Sequence, residues 1–133
     1  MERESERAYL GTLMLRKPGA GSATVKVEPE HFSALLRGKM LTGLRALYPW
    51  TDSQEMEREL CATLSRQFGL KAVQLEVGWC LGNSEPWGEV DHVAQRVLDG
   101  WKRRSRVRLL DEARTKAHDS EAIAEVCSKL LAL

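Results

Sequence analysis

The side chains whose type and spacing could do chemistry are, first of all, cations. Lys102, Arg103, Arg104, Arg106 and Arg108 place five positive charges in seven consecutive positions directly after Trp101. Such a cluster attracts phosphates by releasing their counterions, and a guanidinium can grip one phosphate through two parallel hydrogen bonds or stack on a base. The same residues also suit a solvated helix end meeting its own dipole. Five cations exceed what one helix end needs, so the pattern points to a DNA or RNA backbone, with Arg16, Lys17 and Lys26 extending the track. Nothing nearby reads base edges, so binding is expected to be salt-sensitive and weakly sequence-specific.

Other chemistries find less support. A Walker phosphate loop ends in Gly-Lys-Ser/Thr, whereas Gly38-Lys39 runs into Met40. Gly19-Ala20-Gly21-Ser22 is rich in free amides, but no helix opens at once behind it to receive an anion. Zinc needs close pairs of Cys or His, and Cys61, Cys80, Cys127, His31, His92 and His118 are isolated singles. Each cysteine has apolar neighbours, which suits reduced, buried thiols. Glu76, Glu85, Glu89 and Asp91 could in principle be assembled into a metal-dependent nuclease. That chemistry places a Lys two residues after the strand acid, and here Gly78 stands there. Exposed acids on a strand and near a helix start are the simpler reading. No catalytic residue, cofactor or metal is expected.

A second function class is a protein-interaction module: an adaptor, an inhibitor or a small subunit. Trp50 and Trp87 fall in loops, and Ile123, Val126, Leu130 and Leu133 form the apolar side of the last helix. Together they could supply the desolvated centre of an interface with another protein or with a second copy.

The elements that position these residues follow from periodicity. Ala8 to Arg16 and Ala23 to Glu28 read as strands joined by a turn over residues 17–22, an amino-terminal β-hairpin preceded by a frayed, charged start at 1–7. Phe32, Leu35, Leu36, Met40, Leu44 and Leu47 recur at helical steps and predict a helix over 30–48. Pro49-Trp50-Thr51 breaks it. Asp52 with Glu55 then forms a capping box before the stripe Met56, Leu60, Leu64 and Phe68, which closes at Gly69.

Val73, Leu75, Val77, Trp79 and Leu81 alternate with smaller or polar residues, and this predicts a strand over 72–81. The stretch Leu64 to Leu70 superficially resembles a helix-turn-helix with residues 72–79 as recognition helix. A helix there would expose large apolar side chains, and the strict alternation favours the strand. A helix follows with Val90, Val93, Ala94, Val97, Leu98 and Trp101 on one stripe. Beyond it, either that helix continues fully solvated or a short strand takes over from Arg106 to Leu110. Asp119-Ser120 caps a final helix that runs to Leu133.

These elements compose a single α+β domain over residues 1–133, a small sheet packed by about four helices. At 133 residues the chain can bury one core without staples, and 43% hydrophobic with 29% charged residues excludes intrinsic disorder. The net charge of +1 excludes a partner held by total field alone, so the local distribution decides. Residues 95–118 hold 8 bases against 3 acids, and residues 50–94 hold 3 against 8. No apolar run is long enough for a membrane span and no signal core follows the charged start, so a reducing cytoplasmic setting without membrane contact is expected.

Overall fold

The computed structural model describes residues 2–17 and 19–133. Among these described residues six α-helices form: α1 (Glu2–Met14), α2 (Leu35–Leu47), α3 (Ser53–Phe68), α4 (Leu70–Gly82), α5 (Val90–Thr115) and α6 (Ser120–Ala132), with short 3-10 turns at Pro29–His31 and Trp87–Glu89. Among the described residues there is no strand and no sheet, so the α+β expectation is corrected to an all-helical fold.

Each predicted strand fails for its own physical reason. Ala8 to Met14 belong to α1, where Ala8, Tyr9, Leu10, Gly11, Thr12 and Met14 are all buried. A helix covered on several sides carries consecutive apolar residues and loses the stripe that would reveal its period. Glu2 and Glu4 in its first turn favour the helix dipole. The turn expected over 17–22 contains Pro18, which lies outside the described residues. Residues 23–28 have no strand partner among the described residues. The Asp91 carboxylate instead takes the Thr24 amide at 2.8 Å, the Thr24 hydroxyl at 2.7 Å and the Val25 amide at 2.9 Å, which satisfies backbone groups that a sheet would otherwise pair. Residues 72–81 form the body of α4, and Arg106 to Leu110 continue α5.

The chain divides into two compact units, one ending at Leu98 and one running from Asp99 to Leu133, with the boundary inside α5. In the first unit α1 packs against α2 and α4, and α3 packs against α2 and α4. Leu10, Met14, Met40, Leu41, Leu60, Val73, Val77 and Val93 are fully buried at its core. Asp52 caps α3 by accepting the Gln54 amide at 2.9 Å. Gly69 alone links α3 to α4, at φ +86, a left-handed conformation open to glycine at little cost. A Cβ on Gly11 would overlap the Cys80 carbonyl oxygen, so the absence of a side chain lets α1 approach the α4 backbone closely.

The second unit contains the end of α5, a turn through Lys116 to Asp119, and α6. Asp119 caps α6 by accepting the Ala122 amide at 3.1 Å. Ser105, Leu109 and Val126 are buried, whereas Val107, Leu110 and Leu131 stand exposed.

Candidate interaction surfaces

A network of four charged side chains holds α4 in place. Glu6 on α1 is 1% exposed and accepts the Ser33 amide and hydroxyl and the Arg37 Nε, the last at 2.8 Å. Arg37 also donates through Nη1 to Glu76 Oε1 at 3.3 Å. Arg7 closes the network on Glu76 with Nε to Oε2 at 2.6 Å and Nη2 to Oε1 at 3.2 Å. Two carboxylates and two guanidiniums balance, which is the condition under which charge tolerates burial. The Glu76 hydrogen bond raises the Arg7 pKa above its usual value.

Glu76 is therefore a buried structural anion. The other acids read as nuclease candidates are also placed: Glu85 faces Arg96 at 3.9 Å, Asp91 clasps residues 24–25, and Glu89 lies exposed in a 3-10 turn. The Cys80 thiol donates to Glu76 at 3.8 Å, and its pKa is raised, chiefly by burial and then by that carboxylate. Cys61, Cys80 and Cys127 are free thiols, the first two buried. No cluster of three His, Cys, Asp or Glu able to hold a metal occurs among the described residues.

Around the axis of α4, Val73, Glu76, Val77 and Cys80 face inward and are buried. The opposite side carries Lys71, Ala72, Leu75, Gly78, Trp79 and Gly82, all exposed, within an arc of about 120°. Leu75 is 46% exposed and Trp79 48%. Lys71 is the single charge on this arc. The Arg7 guanidinium lies 4.3 Å from the Trp79 ring centroid, so one residue both closes the buried network and supports the exposed indole. A Cβ added at Gly78 or Gly82 would meet nothing within 4 Å. The face is apolar, of one helix's width, and open to close backbone approach.

The structure also brings together residues that the sequence assigned to different functions. Arg16, expected on a phosphate track, lies over two rings, 4.2 Å from the Tyr48 centroid and 4.7 Å from that of Trp87. Trp50 meets Tyr48 edge-on at 5.6 Å and donates from Nε1 to the Met14 carbonyl at 3.3 Å. Trp87 donates to the Gly21 carbonyl at 2.9 Å. Both loop tryptophans are half-buried. Lys17 and Lys26 are exposed in the segment between α1 and α2.

In the second unit all five expected phosphate contacts lie on α5, where Arg103, Arg106 and Arg108 are exposed and Lys102 and Arg104 half-buried. Lys102, Arg103 and Arg106 share an arc of about 100°, and Arg104 and Arg108 fall beyond it. On α6, Val126 is buried, Ile123 and Leu130 are half-buried and Leu131 is 89% exposed, and Leu133, just past its end, is half-buried.

The sequence signals of the buried network were Arg37 and Glu6. Arg37 stands on the apolar spacing of Met40 and Leu44, and Glu6 on that of Leu10 and Met14, positions a solvated charge avoids. Arg7 carried no comparable signal. Compared with known proteins, the chain matches no protein-family model, no curated protein and no solved structure.

Proposed function

We propose that the protein is a protein-interaction module whose first unit docks a partner's helix on the outward face of α4. The observation that carries this reading is the exposure of Leu75 and Trp79 on a helix that is apolar on both sides. A helix apolar all round is normally covered all round. Gly78 and Gly82 leave room for another backbone, and aromatic anchors with water-excluding neighbours are what interface centres use. Lys71 at the edge selects a partner helix with an acidic flank; a second copy would instead bring the same cation. The three free thiols fit a reducing, intracellular setting. No helix among the described residues is long and apolar enough to cross a membrane.

The test is quantitative co-purification of wild type against a Leu75→Lys/Trp79→Ala double variant, with folding checked by circular dichroism. A partner recovered about tenfold less with the variant, and docking through an acid-flanked amphipathic helix, is expected. Identical recovery profiles would overturn the reading.

A second reading, contact with a DNA or RNA backbone, draws on the shared arc of Lys102, Arg103 and Arg106. It requires that a labelled single strand bind at low salt, dissociate at high salt, and lose binding when Arg103, Arg104 and Arg106 become Glu. Binding retained by that triple variant would rule it out.

A further inference from the structure

A slot of about 140 Å³ is lined by Leu13, Arg16, Leu44, Arg45, Tyr48 and Trp50. The volume is well under the roughly 300–1,000 Å³ of sites that enclose a cofactor or drug-sized molecule, and it suits one aliphatic or aromatic side chain. The walls are joined to one another by contacts within the protein. Trp50 is tied to the Met14 carbonyl, and Tyr48 contacts the perpendicular Trp50 ring at 5.6 Å and the Arg16 guanidinium at 4.2 Å. Little ordering entropy is left to lose on binding.

The two arginines of the slot differ. Arg45 is already engaged, by the Glu28 carboxylate at 3.1 Å and by the Val27 carbonyl. The Arg16 guanidinium carbon lies 4.2 Å from the Tyr48 centroid and 4.7 Å from that of Trp87, and no ion pair joins Arg16 to a carboxylate among the described residues. Its Nε is buried and has no hydrogen-bond partner. A cation–π contact uses the charge of a guanidinium and not its N–H donors, and a carboxylate matches such a fork with two parallel bonds.

An apolar slot beside an uncompensated fork calls for a ligand that joins an apolar side chain and a carboxylate within a few bonds. We infer that this slot captures the carboxyl-terminal residue of a peptide, the side chain entering between Leu13, Leu44 and Trp50 and the terminal carboxylate meeting Arg16. An internal Asp or Glu beside an apolar residue places its charge farther from the neighbouring side chain and fits less well. The slot does not involve α4, so it stands or falls apart from the function proposed above.

The probe is acetyl-Gly-Gly-Leu with a free carboxyl terminus, compared with the same peptide amidated, each titrated into the full chain while the indole N–H signals are followed by NMR. The free acid should shift the Trp50 signal saturably and leave that of Trp79 in place, and the amide should bind about tenfold more weakly, the value of one charge-assisted contact. Arg16→Gln should remove the difference between acid and amide, and Arg45→Gln should preserve it. Equal binding of acid and amide by the wild-type chain, no saturable shift, or a shift centred on Trp79 would overturn the inference, and none of these readings requires a variant to fold.

Discussion

Arg7 and Glu76, 69 residues apart, meet through two hydrogen bonds, at 2.6 Å and 3.2 Å. The pair ties α1 to α4, and Arg37 reaches the same carboxylate from α2 at 3.3 Å. Three helices thus share one balanced group of charges, and the outer edge of that group, Arg7, supports Trp79 on the surface.

Removing one member should cost far more than a surface ion pair would. Arg37→Met leaves Glu6 and Glu76 short of a partner in a buried site, and the expected loss is about 3–5 kcal/mol of unfolding free energy, read by urea denaturation. A loss under about 1 kcal/mol, the scale of exposed pairs, would contradict the burial of this network.

Two glycines should respond in opposite directions. Gly11→Ala drives a methyl group into the Cys80 carbonyl and forces α1 from α4, at a cost of about 1–3 kcal/mol or more. Gly78→Ala enters open space in a helix interior and should stabilise the fold by about 0.5–1 kcal/mol. Thermal melts of the two variants check both signs.

Acid should release the segment between α1 and α2. The Val25 amide first, and the Thr24 hydroxyl and amide with it, hold the Asp91 carboxyl below its usual range. A depressed pKa in the folded state contributes stability that is complete above the unfolded carboxyl value of about 3.9 and is lost as pH falls through the folded value. Between about pH 5 and pH 2 the wild-type Tm should therefore fall more steeply than that of Asp91→Asn. Parallel curves would show that Asp91 carries no linkage.

Two neighbours on α4 should behave as though they belonged to different molecules. Val77 is 0% exposed and Leu75 46%. Val77→Ala should cost about 2 kcal/mol through lost burial and the cavity left behind, while Leu75→Gln should stay within about 0.5 kcal/mol. Equal losses would mean that Leu75 is core.

The same pair shows why the sequence misled. Val73, Leu75, Val77, Trp79 and Leu81 alternate perfectly, yet residues two apart lie about 200° apart on a helix, so the run falls alternately on the two sides of α4, both of which are apolar. Glu76 fits the polar positions of the alternation yet is buried, and its ion-pair partners lie 69 and 39 residues away. The starts, stops and stripes of α3 and α6 were readable because each is polar on one side and capped by Asp52 or Asp119. Of the surfaces, the cations of α5 were visible as a run. The joining of Arg16 to Tyr48, Trp50 and Trp87 was not, because those residues meet only through tertiary packing.

The most direct test of the α4 surface is photo-cross-linking in living cells, with p-benzoylphenylalanine placed at Trp79 and, as control, at the exposed Glu59 on α3. A cross-link specific to position 79, mapping to an acid-flanked amphipathic helix of another protein and lost on Leu75→Lys, is the expected result. No product above the Glu59 control, or a product formed only with a second copy of this chain, would contradict the proposal that α4 docks a partner.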